Sequence, residues 1–419
     1  MPVVLTLALC ALFCPPLVGY FLAFLTMLWL LGGVGLLKGR APWLALPESG
    51  RGFVWTLFLG TLAFTLTALF ASVAAALWGA YPMPLTDALE PFKHLANKRT
   101  VQWLIVGTAL LFAYQRGFRL RQAGLPLATF LGLYFAYAVA QRTYGIDWVH
   151  GFDAKLPPNR EAYGVFRVSG FMGHPISLSY NLMLFLLTVY AQLRIHGETL
   201  TPRERKVWSI AAIFAALNLV LSGSRWPLVV IAITLLLAEG KKLFRHAKWV
   251  GLGVVVAAVV LVIEGSLLSR VGEVFGGDQS FYERMPRLLF WRVHWQMFTD
   301  NPLFGVGHAA SMVAAKDYYV RAGFADFREL YPAHNNFLQT LADGGLLGFA
   351  GLGALLAAYA IAMRRLTVAG IKHGLGLLLT ATVVAGLMQN NLRDSTYLYA
   401  LWLCTAFLAA EAVSDFRRR

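Results

Sequence analysis

The chain has 419 residues, 58% of them apolar and only 14% charged, with a formal net charge of +15 and a mean hydropathy of +0.61. Soluble globular chains carry about 25% charged residues, so this composition excludes a soluble protein of two or three domains, which the length alone would suggest. Repeated apolar runs of about 20 residues mark an integral membrane protein instead.

The predicted spans, in chain order, are 3–18, 20–36, 53–78, 101–115, 125–140, 175–193, 207–222, 228–240, 249–266, 346–363, 374–391 and 396–413. The first apolar run, Pro2 to Leu37, is too long for a cleavable signal and breaks near Pro15, Pro16 and Gly19 into two spans. Cys10, Cys14 and Cys404 all lie in apolar runs without a histidine or carboxylate to join them. They read as small packing residues, not as metal ligands or disulfide partners. The expected fold class is therefore an all-α polytopic membrane protein of about twelve transmembrane helices. Residues 1–266 carry spans one to nine, 267–345 form a large helical outer loop, and 346–419 carry the last three spans and a short tail.

Twelve spans place both ends on one side. One alternating set of connectors carries a net charge of +14 and the other +1, so the first set is cytoplasmic by the positive-inside rule. The basic balance follows from topology and gives no support to a nucleic-acid partner. The outward connectors 141–174 and 267–345 are far longer than the rest. Loops of that length are usually functional or small domains of their own.

Twelve of the sixteen basic residues in the outward set are arginine. Arginine keeps its charge and offers a planar fork that binds phosphate oxygens in pairs. The candidates are Arg167 in FRVSG, Arg225 in SGSRWP, Arg284 and Arg287 in ERMPRLLFWR, and Arg393 in NLRDS. A single arginine at a span end is equally suited to snorkelling or to holding anionic lipid headgroups. Arg225 stands apart, because it sits in a tight turn between two apolar runs with no acid nearby.

Residues 283–310 predict an amphipathic helix ending at Asp300-Asn301-Pro302, then a glycine turn at Gly305 and Gly307. Leu288, Trp291, Trp295 and Phe298 recur at helical spacing and should pack the outer loop or lie on the membrane interface. The outward histidines are His94, His150, His174, His294, His308 and His334. No pair has zinc-site spacing and no acidic cluster offers a magnesium site, so neither metal nor cofactor is expected.

His334 precedes a run, AHNNFLQTLADGG, that predicts a short helix starting by Pro332 and ended by Gly344-Gly345, with Phe337, Leu338 and Leu341 on one face. At a helix N-terminus an imidazole is favoured in its neutral form, which is the form a general base requires. Asn335 and Asn336 either orient a substrate or cap the helix.

The run HNNFLQTLADGGLLG resembles the signature of the O-antigen ligase/polymerase superfamily, and RLLFWRVHWQMFTDNPLFGVG resembles the same family's arginine, tryptophan and NPL-GVG block. SGSR at 222–225 and GFMGHP at 170–175 also fit. The resemblance implies a GT-C-like glycosyltransferase of the bacterial inner membrane, its active site facing the periplasm under the 267–345 loop. It implies an O-antigen ligase that moves a glycan from undecaprenyl pyrophosphate to lipid A-core oligosaccharide among membrane lipids. The alternative is a polymerase that extends the lipid-linked glycan. Relatives with protein acceptors usually carry a further C-terminal domain, and this chain stops at its last span. In such a site His334 would be the catalytic base. Arg225, Arg284 and Arg287 would hold the pyrophosphate, with Arg167 and Arg393 beside them and Asn335 and Asn336 in support. Arg284 and Arg287 compete for one family position, and the spacing to Trp291 favours Arg287. A transporter of lipid-linked sugars would instead place charges at mid-span and show matching halves, and neither pattern is present.

Overall fold

The computed structural model describes residues 46–92, 106–107, 109–111, 123–145, 161–162, 165–197, 199–243, 286–308, 310–324 and 332–418. The expected spans 3–18, 20–36 and 249–266, most of 101–115, and the first part of the outer loop lie outside these residues, as does Arg284. The described elements are α1 (Glu48–Trp78), α2 (Gly124–Tyr144), β1 (Glu161–Ala162), β2 (Val165–Phe166), α3 (Pro175–Ile195), α4 (Pro202–Leu221), α5 (Trp226–Leu243), α6 (Pro286–Asp300), α7 (Ser311–Arg321), α8 (Asn336–Arg365), α9 (Ala369–Gly386) and α10 (Ser395–Arg418). The two strands form a minimal antiparallel hairpin inside the 141–174 connector. Among the described residues it is the one departure from the all-helical expectation.

Six helices, α1, α2, α3, α8, α9 and residues 395–413 of α10, are long and apolar enough to cross a membrane, and α5 contains a shorter apolar helix. The chain is a multi-pass membrane protein. Local chemistry starts these helices where they start. Thr201 and Glu204 form a reciprocal capping box before Pro202 at the head of α4. The His174 Nδ1 accepts from the Ile176 amide at the head of α3, again followed by proline. Helices α3 and α10 are the most enclosed, whereas α1 turns Trp55, Leu59, Leu66 and Phe70 outward, as a lipid-facing helix must. Helix α8 runs along α1 at a distance only small residues permit, with Gly351 against Thr67 and Gly60 against Ala358.

Helices α6 and α7 form a cap with its own apolar core of Leu289, Phe290, Val293, Met297, Tyr318 and Tyr319. The buried stripe of α6 is therefore one position away from the expected Leu288, Trp291, Trp295 and Phe298. Trp295 is 53% exposed, and the other three are half-buried. The aromatic stripe lies on the outer surface of the cap.

The cap is fixed to the bundle by backbone. The turn 302–307 and the turn 342–347 exchange four hydrogen bonds: Val306 N to Ala342 O and Gly307 N to Asp343 O, both 2.9 Å, Leu346 N to Pro302 O, 2.8 Å, and Leu347 N to Leu303 O, 3.2 Å. Gly305 and Gly345 stand at the centre with positive φ of 64° and 59°, and a Cβ on either would run into the other turn's main chain. Gly345 breaks α8 into a short leading helix and the span proper, which is the stop the sequence placed at Gly344-Gly345.

The expected span 374–391 ends earlier, at Gly386, and residues 391–393 form a 3-10 turn before α10. The reason is the polar run Gln389-Asn390-Asn391, whose amides bond to the start of α8. Left in a lipid-facing helix they would lack partners.

Replacing Gly345 with Ala combines a left-handed backbone with a steric conflict and should destabilise by about 1–3 kcal/mol or more. The thermal midpoint in detergent should fall, while Gly353→Ala, with open space around it, should leave it unchanged or raise it.

Candidate active site

The leading segment of α8 inverts the usual logic of a buried helix. Its half-exposed residues are the apolar Phe337, Leu338 and Leu341, and its buried face is Asn336, Gln339 and Asp343 together with Ala342. Each buried polar group is used. The Asn335 Oδ1 caps the helix by accepting from the amides of Phe337 and Leu338 at 2.9 and 3.0 Å, and its Nδ2 donates to Leu387 O at 3.1 Å. Asn336 donates to the Asn391 Oδ1 and accepts from the Leu392 amide. The Gln339 Oε1 accepts from the Ala333 amide and the Asn390 Nδ2, and its Nε2 donates to the Ser311 Oγ and the Asp343 Oδ1. These side chains tie together the segment before α8, the turn after α9 and the cap.

His334 is held where those ties converge. Helix α8 begins at Asn336, four residues after Pro332, so His334 lies just outside the cap residue and not within the first turn as expected. Its φ of 48° is the only positive value at a non-glycine among the described residues, a strained conformation of the kind that concentrates at functional sites. The Nδ1 lies 3.0 Å from the Gln389 Oε1, and the ring packs on Phe290 at 5.9 Å between centroids. Burial holds the imidazole below its ordinary pKa; the Gln389 bond pulls the other way, and the nearby Arg287 guanidinium adds to burial. His334 is therefore neutral at pH 7.

The structure distributes the predicted arginines over three places. Arg287, exposed on the first turn of α6, acts electrostatically on both His334 and Tyr180, and its Nη1 lies 3.8 Å from the Met388 Sδ. It is the arginine brought to the histidine. Arg393 stands on the 3-10 turn, paired with the fully buried carboxylate of Asp343 and 3.0 Å from the His308 Nε2. Arg167 reaches the α4–α5 turn, with its Nη2 2.7 Å from the Ser224 Oγ and its Nε 3.3 Å from Ser222 O. Arg225 follows in that same turn, half-buried, its carbonyl accepting from Leu228 and Val229. Arg284 lies outside the described residues.

Beside the Arg393–Asp343 ion pair a cleft opens between α1 and α8, lined by Phe64, Ala68, His308, Gln339, Thr340 and Arg393. Behind it His294 is buried with its Nδ1 2.8 Å from Phe290 O. Burial first, then the charges of Arg393 and His334, lower its pKa to about 4 against the opposing carbonyl bond. Gln339, Asp343 and Gln389 were not singled out by the sequence, and His294 only as one of six outward histidines. A search for polar residues at helical spacing would have found Asn336, Gln339 and Asp343; Gln389 carries no such signal, because it belongs to a run read as membrane span.

A family model described as O-Antigen ligase matches residues 210–353 of the chain. That stretch holds Arg225, Arg284, Arg287, His334, both asparagines and the two interlocked glycine turns. No curated protein matches the chain.

If Asn335 acts as the cap, Asn335→Ala should lower stability by about 1 kcal/mol, while Asn335→Asp or Asn335→Ser should restore most of it. Melting the three purified variants side by side checks this, and an unchanged midpoint for the alanine variant would remove the capping role.

Proposed function

We propose that the chain, whose residues 210–353 match a family model described as O-Antigen ligase, is a glycosyltransferase of the ligase type. It would transfer an O-antigen glycan from undecaprenyl pyrophosphate to a sugar hydroxyl of lipid A-core oligosaccharide, at the periplasmic face of a bacterial inner membrane. The observation that carries this is a neutral histidine, held in a strained conformation beside an exposed arginine at the end of a membrane-spanning bundle.

The chemistry is a direct displacement. The acceptor hydroxyl oxygen attacks the anomeric carbon and His334 takes the hydroxyl proton. The bond from the anomeric carbon to the pyrophosphate oxygen breaks, and its electron pair leaves on the pyrophosphate. The configuration inverts and no covalent enzyme intermediate forms. Arg287, with Arg225, Arg284 and Arg167, would stabilise the charge that builds on the leaving group, the work otherwise asked of a divalent cation. Arg393 suits a different part. Its guanidinium is already matched by the Asp343 carboxylate, so it serves better as a fixed hydrogen-bond donor beside the cleft than as net positive charge. A polymerase would run the same step with a lipid-linked glycan as acceptor, and the length of the second outward connector, 141–174, is the feature that favours it.

Purified protein in detergent with EDTA, given undecaprenyl-pyrophosphate glycan with and without lipid A-core, tests the assignment. Glycan appearing on lipid A-core only when that acceptor is present is the expected result; longer lipid-linked chains without it would make the protein a polymerase. His334→Ala should lose transfer by at least about 100-fold while remaining folded. Arg287→Ala should lose more activity than Arg287→Lys, which keeps the charge but not the fork. The base must be deprotonated, so the rate should hold as pH falls to about 6.5 and decline only below it, because the His334 pKa lies under the ordinary 6.5.

A further inference from the structure

We propose that Gln389 is a positioning residue that fixes the tautomer of His334, a role that rests on the general-base reading above. A neutral imidazole carries its proton on either nitrogen, and only the bare nitrogen can act as a base. The Gln389 Oε1 has lone pairs and no proton to give. At 3.0 Å from the His334 Nδ1, it selects the form with hydrogen on Nδ1 and the lone pair on Nε2. In the transfer step Nε2 takes the hydroxyl proton, Nδ1–H stays on the amide oxygen, and the ring becomes a cation.

An amide acceptor raises the basicity of the ring less than a carboxylate would. A carboxylate at this position would favour the imidazolium and raise the pH at which the base becomes available. The charged and titratable groups that face His334 from α6 are Arg287 and His294, with Arg393 beyond His294 on the 3-10 turn. The Asp343 carboxylate of α8 is bound to Arg393 and Gln339. A neutral acceptor therefore orients the ring without adding negative charge. The surroundings make the geometry firm on every side: Phe290 packs on the ring, Ala333 is pinned to Gln339, and Asn335 locks into the head of α8 and onto Leu387, two residues from Gln389.

The test separates this link from the activity itself. Diethyl pyrocarbonate modifies only neutral imidazole, so its rate at the His334 peptide, read by mass spectrometry against pH, gives the protonation midpoint without donor or acceptor. In full-length protein Gln389→Glu should move that midpoint up by at least about one pH unit, and move the acid limb of the transfer profile with it. Gln389→Met, which has no comparable acceptor, should slow transfer about tenfold or more at every pH while leaving the donor KM unchanged. An unmoved midpoint in Gln389→Glu, or a full transfer rate in Gln389→Met, overturns the proposal. Should His334→Ala still transfer glycan normally, the base role itself falls, whereas the modification midpoint still decides whether Gln389 controls the ring.

Discussion

Two glycine turns pressed main chain to main chain hold this end of the molecule together. Residues 302–307 and 342–347 meet at a distance no side chain allows, and Gly305 and Gly345 take the backbone conformations that bring their amides and carbonyls into register. The contact joins the cap to the bundle at the point where α8 breaks. The break decides the direction of the nine residues that precede the span, and so which of their faces is buried. Without it α8 would continue as a single rod, and His334 would not sit over the turn that follows α9.

Burying the polar face of that leading helix follows from the same constraint. Asn336, Gln339 and Asp343 sit among polar groups of three neighbouring segments: the Leu392 amide and Asn390 side chain of the turn after α9, the Ala333 amide before α8 and the Ser311 hydroxyl at the start of α7. Side-chain amides offer both a donor and an acceptor, so one residue can serve several partners. Gln339 alone makes four bonds, one to main chain and three to side chains. The one buried carboxylate here is matched by Arg393, as a charge in this setting has to be.

The membrane class, the membrane helices among the described residues, the α6 and α8 segments and the glycine stops were legible in the sequence because each depends on local pattern: apolar length, helical spacing, conformational freedom. The His334–Arg287 proximity was legible only through resemblance, since nothing local brings residues forty-seven positions apart together. The sequence left two places open for the stripe of Leu288, Trp291, Trp295 and Phe298, the outer loop's core or the membrane interface, and put Phe337, Leu338 and Leu341 on one face without saying which way it turns. In both segments a neighbouring set of residues is buried and these are left half-buried or exposed. Beside a membrane, apolar residues have a second favourable environment in the lipid and its interface, so hydrophobicity no longer says which side is inward. The same blindness extended the eleventh span through Gln389, where the need of three consecutive side chains for hydrogen-bond partners ends the helix.

The histidines at the two ends of the bundle show why the partner matters more than the residue. At the far end, where the basic connectors lie, His196 meets the buried Glu411 at 3.0 Å and His373 meets the buried Glu239 at 2.8 Å, with Gln192 and Arg194 completing the two groups. Each contact ties two elements together, here the end of α3 with α10 and α5 with α9. At the site end the partners are an amide oxygen for His334, a backbone carbonyl for His294 and a guanidinium for His308. Among the described residues, then, the histidines at one end meet carboxylates that bridge helices, and those at the end facing the cap meet groups without negative charge.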